Sequence, residues 1–120
     1  MQTLWAAIAL AILIAPIPAF ADNWRATATL DPNAPALCRQ ADVSTLVFEF
    51  ADTGDQLSGK TNNGHDFAAL IATDGSLSTT ITVPIDEKDF VVELTGNAKS
   101  RELEVFNKKY ACRFKLTPMQ

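Results

Sequence analysis

The sequence predicts an all-β fold: a small antiparallel meander of about eight strands, closed into an up-and-down barrel or, as the alternative, folded as a β-sandwich, with one disulfide. Three observations lead there. Beyond residue 21, strand-length alternations of apolar and polar residues recur, each followed by a turn signal of hairpin size. No linker, low-complexity tract or internal repeat divides this part of the chain. The only two cysteines, Cys38 and Cys112, lie near its two ends, and an even pair in an exported chain is most simply a disulfide.

Export is read from residues 1–21. Leu4 through Ala15 form an unbroken apolar run, followed by Pro16 and Pro18 and then the small-x-small triplet Ala19-Phe20-Ala21 before Asp22. That order suits a secretory signal peptide cut after Ala21, although no Lys or Arg precedes the apolar run. A retained membrane anchor is the alternative; spanning needs about 20 apolar residues, and the two prolines shorten the candidate helix. The reading is therefore a signal at 1–21 and a single β domain at 22–120. The domain is secreted or periplasmic and has no stable membrane insertion once the signal is cleaved.

All charged residues belong to the domain, 14 acidic against 10 basic, and this mildly acidic balance gives no nucleic-acid footprint. A domain of about 99 residues has a thin core, and closing so long a loop with a disulfide is worth on the order of 4 kcal/mol. Two cysteines with His65, the sole histidine, supply no zinc set, and no metal or cofactor is expected.

In order, strands are expected at 23–30, 43–51, 56–61, 66–72, 77–83, 90–95, 102–106 and 109–116. Thr53-Gly54-Asp55, Asn62-Asn63-Gly64, Asp74-Gly75, the loop 84–89, Gly96-Asn97 and Asn107-Lys108 connect them. Only 31–42, with Pro32 and Pro35, is a longer connection. A two-residue turn at Asn107-Lys108 sets Val105 opposite Tyr110 and Leu103 opposite Cys112. Leu103, Val105, Tyr110, Cys112, Phe114 and Leu116 then line the interior. Outside, Glu102 and Glu104 form a charge ladder with Lys109, Arg113 and Lys115. A turn at Asp74-Gly75 likewise places Ala68, Leu70, Ala72, Leu77 and Ile81 on one face. Phe67 and Ile71 then fall on the other, beside Thr80 and Thr82.

That second face is the candidate interaction surface: Phe67, Ile71, Thr80, Thr82 and Val91, suited to an unknown protein partner or to a second copy of the chain. Charge offers another candidate. Lys99, Arg101, Lys108, Lys109, Arg113 and Lys115 crowd the C-terminal part and form a candidate basic face for an anionic envelope component, with neutralisation by neighbouring acidic strands as the alternative. His65 reads as a loop-tip residue, and Asp86-Glu87-Lys88-Asp89 as a solvated turn whose spacing matches no calcium loop.

Two resemblances are local. Asp52-Thr53-Gly54 after the apolar strand Leu46-Val47-Phe48-Glu49-Phe50-Ala51 looks like the active-site strand and turn of retropepsin and pepsin-type aspartic proteases, which implies a homodimer with Asp52 from each copy. The chain departs from that family at Asp55, where a small residue is usual, and at Leu94-Thr95-Gly96, which matches the downstream signal only in part. Trp24, Asp55-Gln56-Leu57-Ser58-Gly59-Lys60 and Asp74-Gly75-Ser76-Leu77 are similar in style to avidin-like exported barrels. That likeness covers turn chemistry over a third of the chain, and a single tryptophan beyond residue 21 does not imply a biotin site. Trp24 also precedes both cysteines, against an immunoglobulin-like sandwich.

With no catalytic set, the expected function is that of an exported non-catalytic binding module, an inhibitor of a secreted hydrolase or a small-ligand carrier. A cell-envelope accessory protein is the alternative and the Asp52 protease a remote one. Phe48 or Phe50, Phe90 and Phe114 are expected to fill the barrel and to leave little room for a ligand.

Overall fold

The computed structural model describes residues 21–119 apart from Asn63. The signal reading of residues 1–21 lies, but for Ala21, outside the described residues. Eight antiparallel strands follow one another: β1 (Asp22–Leu30), β2 (Val47–Asp52), β3 (Gln56–Thr61), β4 (Asp66–Leu70), β5 (Ser76–Ile85), β6 (Lys88–Asn97), β7 (Glu102–Asn107) and β8 (Cys112–Pro118). One 3-10 helix, Ala36–Gln40, interrupts the β1–β2 loop. Every pair of sequence neighbours except β4 and β5 is hydrogen-bonded, and β1 also pairs with β8, so the sheet order is β4-β3-β2-β1-β8-β7-β6-β5. The sheet curls into a nearly closed up-and-down barrel. Its single break is the seam between β4 and β5, which share no ladder.

Alternation puts one row of each strand inside. Trp24 and Ala26 of β1, Phe48 and Phe50 of β2, Leu57 of β3, Ile81 and Val83 of β5, Val92 and Leu94 of β6, Leu103 and Val105 of β7, and Phe114 and Leu116 of β8 are all buried. An aromatic row crosses the first four strands. Trp24 lies 4.5 Å from Phe50 between ring centroids, and Phe50 lies 6.0 Å edge-on to Phe67. Gly59 sits between Phe50 and Phe67 in register. A β-carbon there would stand 2.6 Å from the Phe67 ring and 2.9 Å from the Glu49 carbonyl oxygen, so this row closes only over a glycine.

The last hairpin keeps the expected faces with a different register. Val105 pairs with Phe114 and Leu103 with Leu116, because the connection is the four-residue turn 108–111, with Ala111 at φ 58°, and β8 begins at Cys112. The partners shift by four residues. An even shift leaves every inward residue inward, and only Tyr110 leaves the interior for the rim, where it is 39% exposed. Glu104, which the expected register sets opposite Ala111, faces Lys115 and makes an ion pair with Arg113, so the outer charge ladder persists.

The β4 faces are the reverse of those expected from a turn at Asp74-Gly75. β4 takes its register from β3, with Gly59 opposite Phe67 and Leu57 opposite Ala69, and β5 takes its own from β6. Phe67, Ala69 and Ile71 therefore turn toward the core, while Ala68 and Leu70 turn out.

Pro84 lies inside β5 rather than in a loop. The β5–β6 connection is only Asp86-Glu87, both left-handed at φ 52° and 66°, which is the type I′ pattern of a two-residue hairpin. That turn closes on the Ile85–Lys88 pair. By alternation Pro84 falls at a pair without ladder bonds, its missing N–H directed at the open seam.

The chain crosses the barrel eight times, so its connections divide between two ends. The β1–β2 loop, the 62–65 turn, Asp86-Glu87 and 108–111 lie at one, here the disulfide end. Asp22, 53–55, 71–75 and 98–101 lie at the other. Cys38 in the 3-10 helix is bonded to Cys112 at the start of β8, pinning the β1–β2 loop across the disulfide end.

Candidate functional site

Beneath that loop the barrel is not filled. An apolar cavity of about 300 Å³ opens to solvent at the disulfide end. Its floor is Val92, Val105 and Phe114, and one wall is Val83 and Ile85 of β5 with Phe90 of β6. Ala28 of β1 faces it from across the barrel, and the β1–β2 loop supplies the roof through Cys38, Ala41, Val43 and Leu46. The space exists because the inward row of β1 changes from Trp24 to Ala26 and Ala28, whose side chains are too short to reach the opposite wall. Phe48, Phe50 and Phe114 fill the barrel below as expected, whereas Phe90 stays half-buried and stands at the cavity wall.

The mouth is apolar too. Leu37 and Tyr110 are two of the few exposed large hydrophobic side chains, and both border it. The Tyr110 ring meets Phe90 edge-on at 6.4 Å. Exposed polar residues at the rim are Gln40, Asp86 and Lys88. Inside, the polar side chain is Asn107, 7% exposed, whose Oδ1 accepts the Tyr110 backbone N–H at 2.9 Å. Near the roof, Asp42 accepts hydrogen bonds from the Ser44 hydroxyl and N–H, which hold its carboxyl below the usual aspartate range.

The interaction-surface residues divide between two sides of the sheet. Phe67 and Ile71 pack half-buried against the core, while Thr80 and Thr82 point out with Val91, which is 63% exposed. The cause is the unpaired seam: no ladder carries the β4 register into β5. Leu70, 81% exposed on the outer side of β4, was not among the expected surface residues.

The six basic residues are dispersed as well. Lys99 and Arg101 lie at the Trp24 end, where Lys99 Nζ donates to the Thr73 carbonyl and Arg101 pairs with Asp22 at 2.6 Å while covering the Trp24 ring. Lys108 and Lys109 lie at the disulfide end, Lys108 2.9 Å from Glu93 and Lys109 over Tyr110. The length of β7, about 20 Å, separates these pairs. Arg113 is taken by Glu104 and stacks on Phe106, and Lys115 faces Glu104.

Asp52 is engaged within its own turn. Its Oδ1 accepts the Gly54 N–H at 2.7 Å, and Thr53 closes the turn onto the Gln56 carbonyl. His65 Nε2 lies 3.1 Å from Asp89 Oδ1, bridging the open seam at the disulfide end. Among the described residues no three His, Cys, Asp or Glu side chains cluster as metal ligands, and no helix is long and apolar enough to cross a membrane.

The cavity residues escaped the sequence reading because none carries a chemical motif. Two signals were present: the small inward pair Ala26 and Ala28, and the apolar residues Leu37, Ala41 and Val43 in a loop that had no evident reason to hold them. Together the barrel and the loop across it define a β-barrel with a roofed apolar cavity at its disulfide end. Comparison of the chain with family models, curated proteins and solved structures gives no significant match.

Proposed function

We propose that this chain is an exported, non-catalytic carrier that takes a small apolar molecule into the disulfide end of its barrel. The observation that carries the reading is the cavity of about 300 Å³ with an almost wholly apolar lining, reached between the exposed Leu37 and Tyr110. Ligand sites are typically concave and mostly apolar with a few placed polar groups, beginning at about 300 Å³, and this cavity has that character with Asn107 as its buried polar group. The apolar leader at 1–21 and the Cys38–Cys112 bond support action in an oxidising compartment. The engagement of Asp52 in its own turn supports a role without catalysis.

The test is titration of the oxidised domain with N-phenyl-1-naphthylamine, whose fluorescence rises in apolar surroundings. Saturable binding at one site per chain is expected, and Ala28→Leu, which extends a side chain into the cavity, abolishes it while the fold persists. Absent or non-saturable binding, or equal binding by the variant, contradicts the reading.

A further inference from the structure

Resting on that reading, we infer that the ligand is an uncharged, compact apolar molecule carrying one hydrogen-bond acceptor, a carbonyl or ether oxygen, received by the side-chain amide of Asn107. Asn107 continues the inward row Leu103, Val105 at the end of β7 and is more than nine-tenths buried. Its orientation is fixed by the backbone: the Tyr110 N–H needs an acceptor, and Oδ1 provides it at 2.9 Å. The other arm of the amide, Nδ2, is then the donor, and it makes no hydrogen bond to protein among the described residues. Nδ2 is not among the fully enclosed atoms without a partner, which in the described residues are Trp24 Nε1 and Thr61 Oγ1, so it is reached through the open cavity; an apolar occupant that covers it strips its water, and an occupant that supplies an acceptor avoids that cost.

The rest of the lining narrows the class. Cys38, Val43, Val83, Val105 and Phe114 offer no polar side chain, so a second polar group inside the cavity would lose its hydration without replacement. A charged head has no buried counter-charge to meet. The charged residues that border the cavity, Asp86 and Lys88, carry opposite signs and give a charged head no net counter-charge. Specificity thus comes from one amide within an apolar wall, the arrangement in which a single donor discriminates best between an acceptor-bearing molecule and its hydrocarbon counterpart.

Competition against N-phenyl-1-naphthylamine tests this with two probes of like shape, 2-acetylnaphthalene and 2-ethylnaphthalene. In the natural protein the ketone binds on the order of threefold to tenfold more tightly than the hydrocarbon. Asn107→Asp keeps the acceptor for the Tyr110 N–H but removes the donor; the preference then falls to unity or reverses, with hydrocarbon affinity little changed. Lys88→Met, which removes the cationic donor at the rim, leaves the preference intact. Equal affinity of the two probes for the natural protein overturns the role of Asn107 while leaving the carrier reading standing, as does a preference lost in Lys88→Met. Failure of both probes to compete in a protein that binds the fluorophore overturns this ligand class. Failure of the fluorophore itself to bind overturns the carrier reading and this inference with it.

Discussion

Removing the disulfide by Cys38→Ala with Cys112→Ala tests the connection between the covalent link, the barrel and the cavity. The two cysteines are 74 residues apart, so in the chain-entropy treatment the bond removes about 4.5 kcal/mol of freedom from the unfolded chain. A domain of this size has about 5–15 kcal/mol in total, so the variant stands near the edge of folding. The native state loses something too. Cys38 is the buried residue of the 3-10 helix, and the backbone bonds of that helix are local, Cys38 N–H to Pro35 and Ala41 N–H to Cys38. Without the bond the cavity roof keeps the packing of Leu46 and the half-buried Ala34, Ala41 and Val43, and the hydrogen bonds near its two ends from Asp31 N–H to the Arg113 carbonyl and from Asn62 Nδ2 to the Thr45 carbonyl, but nothing covalent at its centre. Urea denaturation followed by Trp24 fluorescence is the assay, with the fluorophore titration run on the folded fraction. A loss of about 3–5 kcal/mol, a steeper urea dependence and weaker binding are expected. A loss under about 1 kcal/mol with unchanged slope and affinity would refute both the entropic and the roofing arguments.

Gly59→Ala drives a methyl into the Phe67 ring and the Glu49 carbonyl, so a loss of about 1–3 kcal/mol is expected by urea denaturation; Phe67→Leu in the same chain recovers part of it. Glu87→Gly relieves a left-handed residue in the type I′ turn and is expected to raise stability by about 0.5–1 kcal/mol, read as a higher urea midpoint. Asp74 accepts hydrogen bonds from the Ser76 side chain and backbone, and its carboxyl is held below the ordinary range chiefly by the Ser76 hydroxyl. A carboxylate with its folded pKa depressed stabilises above its unfolded pKa and loses that contribution as pH falls through the folded one. Urea midpoints measured from about pH 5 down to pH 2 should therefore fall less steeply in Asp74→Asn than in the natural protein.

The meander, its approximate strands and the link from Cys38 to Cys112 could be read from sequence because each rests on local alternation or on simple counting. Registers were less legible, and turn chemistry explains why. Asp86-Glu87 lacks the Asn or Gly that marks a type I′ turn, so residues 84–89 looked like a loop although both strands run through to the turn. Asn107-Lys108 looked like a two-residue tip, but Ala111 takes a left-handed conformation and lengthens the turn to four residues. The inward faces survived there because the displacement was even. At Asp74-Gly75 the turn signal was sound, yet the strands it joins diverge at the seam, and the faces of Phe67 and Ile71 reversed. The cavity lay beyond local patterns altogether. It follows from where Ala28 of β1, the β1–β2 loop and the ends of β5 to β8 meet, and the signals for it were the short side chains at Ala26 and Ala28 and the apolar residues Leu37, Ala41 and Val43 of the loop.

The most direct measurement of the central claim is a heteronuclear NMR titration of the oxidised domain with 2-acetylnaphthalene. Saturable shift changes are expected in Val83, Ile85, Phe90, Val105 and Phe114 and at the Asn107 side-chain amide, with the outer residues Leu70 and Val91 unmoved. Changes confined to Leu70, Val91 and their neighbours, or no saturable change anywhere, would contradict a ligand cavity at the disulfide end.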